Sequence, residues 1–206
     1  MKAAICTAYG PPEVLQVAEI SKPKPGNSEV LVRIRATAVT ASDCIVRAFD
    51  MPRWQPMGLA MSLALGFRKP RNPILGMVYA GEVETQGGNV AGYKKGDRVL
   101  GWTVSSGMSL NFGTYAEYKA VAANGIMTYI PSSLSFGEAA ALPYGGLIAL
   151  SYLRKLGIGQ GKKILIYGAS GAIGTLAVQL AVHFGAEVTG VCSNANLELV
   201  RSLGAH

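Results

Sequence analysis

Three glycines set three residues apart, Gly168, Gly171 and Gly174, stand where an apolar run of Ile164, Leu165, Ile166 and Tyr167 ends and an apolar stretch of helical length begins. Glycines at such a junction do phosphate chemistry without side chains. Gly168 lets the chain turn sharply off a strand, Gly171 lets backbone N–H groups approach a pyrophosphate, and Gly174 lets the following helix pack close to its sheet. The residues expected to cradle a dinucleotide are therefore Gly168, Ala169, Ser170, Gly171, Ala172, Ile173 and Gly174. The spacing is GxxGxxG rather than GxGxxG, so the identification leans on the flanking strand and helix. Glycine triplets at such turns also serve packing alone.

The elements around the turn are those a dinucleotide needs. A second β-branched run at 188–191 follows Gly185 at the distance one helix requires to cross back over a parallel sheet, which makes a βαβ unit. The similar run at 157–162, GIGQGK, precedes the strand and reads as a loop. It is not a magnesium-nucleotide loop, because Lys163 stands where a Ser or Thr would ligate the metal.

A chain of 206 residues, half of them hydrophobic, can bury one large core or two modest ones. The apolar stretch 57–67 is shorter than the roughly 20 residues of a membrane span and leads into Arg68, Lys69 and Arg71, so no membrane association is expected. The start, MKAAICTAYG, alternates like a strand and lacks the apolar core of a leader. Cys6, Cys44 and Cys192 are far apart and form no CxxC, which fits a reducing, cytoplasmic setting and no zinc ribbon. The net charge of +7 is scattered over small clusters rather than along one helix or between aromatics. An anionic cofactor, or an incomplete charge balance, accounts for it more economically than nucleic acid.

The first part of the chain reads as short strands at 2–7, 29–38, 79–86, 98–101 and 114–121, separated by Gly and Pro, the pattern of a small β-barrel-like domain. The segment 48–73 is long, irregular and apolar, with Trp54 and Phe67, and is expected to wall a substrate pocket or to be a packing insertion. Ser135 and Glu138 form a capping-box signature at a helix start, and Pro143 is expected to end that helix before another begins at Gly145. The domains are thus drawn at 1–127 and 128–206.

The order of ILG at 74–76, AGEV at 80–83, GDRV at 96–99, GTYAEY at 113–118, LSFGEAAALP at 134–143, the glycine turn and LGA at 203–205 resembles the medium-chain dehydrogenase/reductase superfamily. Within it, the chain is similar to the zinc-independent quinone oxidoreductase, or zeta-crystallin-like, branch. The resemblance implies an α/β plus β fold, a GroES-like barrel followed by the first half of a Rossmann domain, with an active site in the cleft between them. It also implies hydride transfer from a nicotinamide to a quinone or α,β-unsaturated carbonyl, each a small-molecule substrate. In the zinc alcohol dehydrogenases of this superfamily a Cys stands at the place of Thr40 and a His-Glu pair at Met77-Val78. Hydroxyl and thioether are poor zinc ligands, so a metal-free site is implied. Thr40 and Tyr144 are the candidate catalytic hydroxyls, able to bond a substrate carbonyl or relay a proton, while Thr40 is equally explained as a strand-end packing residue.

Which nicotinamide the resemblance implies depends on charge at the end of the second strand. Glu187, about 20 residues past the turn, opens that strand, whereas the ribose belongs at its other end, beside Ser193 and Asn194. No acid stands there, so NADPH is favoured over NADH. Relatives of this kind continue well past the position of His206, and the chain therefore resembles a C-terminally truncated member. Without the rest of its sheet, the first Rossmann strand would present an open apolar edge. A homodimer is the expected assembly, and the alternative function is a non-catalytic module that binds nucleotide or associates with itself.

Overall fold

The computed structural model describes residues 1–50, 52, 54–103 and 111–206. The chain divides into two compact units, Met1–Ala140 and Ala141–His206. In the first, β1 (Lys2–Cys6) and β2 (Leu15–Glu19) pair as an antiparallel hairpin. They are followed by β3 (Glu29–Ala36), α1 (Ala41–Ala48), α2 (Pro56–Leu65), β4 (Val78–Gln86), β5 (Arg98–Trp102), β6 (Tyr118–Ala122) and β7 (Ile126–Tyr129). Five of these strands form one antiparallel sheet in the order β6-β3-β4-β5-β7.

Strand β3 lies inside that sheet because its Val30-Leu31-Val32 run can be buried from both sides, and those three side chains are almost wholly covered. The core of the sheet is Val30, Val32, Tyr79, Val83, Val99 and Val121. Bridges from Ala3 to Ala116 and from Ile5 to Ile74 stitch the hairpin to this unit. Beside them Cys6, Val46, Phe49, Leu65, Leu75 and Met77 make a second apolar cluster, which fixes α1 and α2.

Helix α3 (Phe136–Lys155) begins in the first unit and ends in the second. Its capping box is formed as expected: Ser135 Oγ donates to Glu138 Oε2 at 2.7 Å while Glu138 N donates back to Ser135 Oγ at 3.2 Å. One expectation is corrected here. The helix runs unbroken through Pro143. A proline removes one intrahelical hydrogen bond, which packing at both ends outweighs: Ala139 and Ala140 lie on Ala80 and Ile130, while Ala149 and Leu153 join the second core. The same packing of Ala139 and Ala140 keeps the start of α3 with the first unit.

The second unit continues with β8 (Lys163–Tyr167), α4 (Ala172–His183), β9 (Glu187–Val191) and α5 (Leu197–Ser202). Strands β8 and β9 are parallel, in register from Lys163 opposite Glu187 to Tyr167 opposite Val191, and α4 is the crossover. Its core gathers Ile166, Ala169, Val178, Ala181, Val188 and Val200. The βαβ unit is present with the expected order and direction.

The expected irregular segment at 48–73 contains a helix, α2, started by Pro56 at its first turn. Proline there has no amide to satisfy and a φ suited to the helix. Residues 51 and 53 of that segment lie outside the described residues. Trp54, expected to pack, is 83% exposed.

Candidate functional site

The glycine turn is built by three different demands. Gly168 sits at φ +75°, a left-handed conformation that side chains rarely adopt. Its amide and that of Ala169 both donate to Val191 O, at 2.9 and 3.0 Å, which fastens the turn to the end of β9. Gly174 faces the turn across the first coil of α4, and a Cβ there would enter the carbonyl oxygen of Gly168 and the backbone of Ala169. Gly171, the N-cap of α4, is different: a Cβ would meet only Gly168 O at 3.4 Å, so its surface side is open. A helix N-terminus with unsatisfied amides, reached over a residue without a side chain, is a cradle for phosphate oxygens. Ala172 and Ile173 follow as the first residues of α4, and Ala169 is fully buried beneath the turn.

The far end of β9 completes the site. Asn196 Nδ2 donates to Ser170 Oγ and to Ser193 Oγ, each at 3.1 Å, tying the glycine turn to the chain leaving β9. Ser193 and Asn194 were expected at this place, and the side chain that brings the two serines together is Asn196. Glu187 pairs with Lys163 at 3.3 Å, at the opposite end of the sheet from the turn, as the strand direction requires. Gly190 was not foreseen: a Cβ there would strike Val200 Cγ1 at 2.5 Å, so glycine lets α5 settle on β9.

In the other unit, Thr40 is the N-cap of α1 and forms a capping box with Asp43. Its hydroxyl donates to Asp43 Oδ2 at 2.7 Å and its backbone N–H donates to the same oxygen at 2.9 Å. Thr40 is therefore a helix cap rather than a strand-end packing residue, and the TASD run at 40–43 carried the signal for it. Asp43 is only 2% exposed, and its other oxygen, Oδ1, has no hydrogen-bond partner among the described residues. Nearby, the Tyr115 hydroxyl is held protonated far above its usual range, first by burial and then by the negative charge of Asp43. Tyr144 lies half buried on α3, in the second unit. Met77 and Val78 are buried in apolar surroundings.

Residues 26–132 match the alcohol dehydrogenase GroES-like domain. Across its full length the chain is 37% identical to the 2-methylene-furan-3-one reductase of Solanum lycopersicum, covering 50% of that protein. It is 31% identical to the quinone oxidoreductase of Pongo abelii, again over all of this chain and 57% of the relative. The solved quinone oxidoreductase of Escherichia coli, complexed with NADPH, superposes on the whole chain with a TM-score of 0.79 at 27% identity, and the chain covers 57% of it. The chain thus spans about half the length of the curated relatives it matches. From the GroES-like match, the βαβ unit that follows it and these relatives, the chain belongs to the medium-chain dehydrogenase/reductase superfamily, in its quinone oxidoreductase-like branch.

Proposed function

We propose that the protein binds NADPH at the turn 168–174 and serves a metal-free hydride transfer to a quinone or an α,β-unsaturated carbonyl. The observation that carries this reading is the cradle itself: Gly168 turned left-handed, Gly174 pressed on the Gly168 carbonyl, and Gly171 open above the amides of α4. Gly168, Ala169, Ser170, Gly171, Ala172, Ile173 and Gly174 would hold the pyrophosphate, and Ser193 and Asn194 the ribose side. When bound, the nicotinamide supplies the hydride.

The chain's own part is to bind and orient. Thr40 or Tyr144 is the hydroxyl proposed to bond the acceptor carbonyl or relay a proton to it. A hydroxyl has one proton, so Thr40 can donate to a substrate only by turning that proton away from Asp43 Oδ2. The metal-free part is supported by the donors present. Met77 and Val78 sit in the apolar core, and among the described residues no three His, Cys, Asp or Glu side chains gather as a metal site. No helix among the described residues is long and apolar enough to cross a membrane, and a cytoplasmic setting is proposed from the wide spacing of Cys6, Cys44 and Cys192 in the sequence.

The test is consumption of NADPH by the purified chain, followed by its absorbance, with a quinone and with an enone as separate acceptors. Acceptor-dependent oxidation that survives removal of metals by chelation is expected. Failure with both acceptors, at saturating NADPH, would count against catalysis by this chain.

A second reading, a nucleotide-binding module that associates with itself as a homodimer, draws on the outer face of β8, where Leu165 and Tyr167 are 65% and 85% exposed. A concentration-dependent mass in solution, reduced by Leu165→Lys, is its expected signature. A monomer at all concentrations would set it aside.

A further inference from the structure

We propose that Asn196 is the positioning residue that sets this site's preference for a cofactor bearing a 2′-phosphate. The inference rests on the dinucleotide reading above and extends it to a residue with no charge of its own.

Asn196 ends the short 3-10 turn Asn194–Asn196 that follows β9, and it is half buried. Its amide nitrogen reaches two serines at once, Ser170 in the glycine turn and Ser193 at the exit of β9. An amide NH2 group has two protons to give, and here each goes to a serine oxygen. Each serine oxygen thereby accepts one hydrogen bond, and each serine keeps its own proton, which cannot point at that amide, for another partner. The two hydroxyls lie where the βαβ fold places the ribose 2′ position, at the end of the second strand beside the phosphate turn. Two hydroxyl protons held side by side there suit an acceptor-only phosphate. A ribose hydroxyl, itself a donor, gains less from them.

The surrounding charges agree. Residues 192–197 contain no acid. Glu187 is engaged with Lys163 at the other end of the sheet, and Glu198 is exposed on α5. The bracket also fixes geometry, because it adds a side-chain tie between Ser170 and Ser193 to the backbone bonds from Gly168 and Ala169 to Val191. A single side chain thus spaces the two donors.

Replacing Asn196 by aspartate inverts the arrangement. A carboxylate accepts from both serines, takes up their protons and adds a negative charge against a 2′-phosphate. The experiment titrates the full chain with NADPH and NADH, and with 2′,5′-ADP and 5′-AMP as probes lacking the nicotinamide, for the wild type, Asn196→Asp and Ser193→Ala. Thermal melting of each variant checks folding. The expected result is a fall in the NADPH-to-NADH affinity ratio of Asn196→Asp on the order of tenfold or more, with NADH affinity retained. Ser193→Ala should weaken 2′,5′-ADP more than it weakens 5′-AMP. A merely structural role for Asn196 would lower both nucleotides together. An unchanged ratio in a folded Asn196→Asp protein that binds both nucleotides overturns the assignment. A wild type that binds none of the four ligands overturns the dinucleotide reading itself, a separate and distinguishable failure.

Discussion

Gly174 is packed so tightly on Gly168 that a Cβ on the one would overlap the carbonyl oxygen of the other. Gly171, midway between them, faces open space apart from one ordinary contact with the same oxygen at 3.4 Å. The two positions should therefore separate folding from binding. Gly174→Ala is expected to destabilise the second unit by about 1–3 kcal/mol, because the added methyl must displace backbone. Gly171→Ala should melt close to the wild type. A differential scan of the two variants checks this, and equal losses would show that the turn is constrained as a whole.

The Thr40 cap is the corresponding prediction for the first unit. Thr40→Ala removes the cap and leaves Asp43, already short of a partner at Oδ1, with one fewer donor at Oδ2. A loss of about 1–3 kcal/mol is expected, most of it recovered by Thr40→Ser, which keeps the hydroxyl. Urea unfolding of the three proteins measures it. If serine rescues nothing, the methyl group and not the hydroxyl is what the site requires.

Lys119 gives a pH dependence of definite sign. Burial lowers its pKa from 10.5 to about 8, with its Nζ donating to Phe112 O at 2.8 Å and to Asn111 Oδ1 at 3.2 Å. Between those two values the unfolded chain holds a proton that the folded chain has released, so this group makes stability rise with pH from about 8 towards 10. Lys119→Met should abolish that rise. Tyr79 and Tyr115, both held protonated by burial, act in the opposite sense once the pH passes their ordinary range. The difference between wild type and Lys119→Met, measured by denaturation at several pH values, isolates the lysine. A flat difference curve would mean that Lys119 keeps an ordinary pKa.

Much of this architecture is legible in the residues because it depends on local, special chemistry. The βαβ unit shows itself by β-branched runs around a glycine-spaced turn, and the Ser135 and Glu138 box by its spacing. Strands β2 and β7 were not foreseen. Their sequences, LQVAE and IMTY, are short, and they exist as strands because β1 and β5 pair with them. Helix α3 runs through Pro143 for the same kind of reason, a tertiary contact outweighing a local rule. The cap at Thr40 and the start of α2 at Pro56 did carry local signals, TASD and a proline at the first turn. The role of Asn196 carried none, since an asparagine near a turn reports nothing about the two serines that folding brings to it.

The central claim is that the turn from Gly168 to Gly174 holds an NADP-type dinucleotide, and calorimetric titration of the purified chain with NADPH and NADH tests it most directly. The account predicts saturable binding of one NADPH per chain, tighter than NADH and strongly weakened in Gly171→Ala although that variant stays folded. Absence of saturable binding in the wild type, or NADPH binding of equal strength in Gly171→Ala, would contradict it.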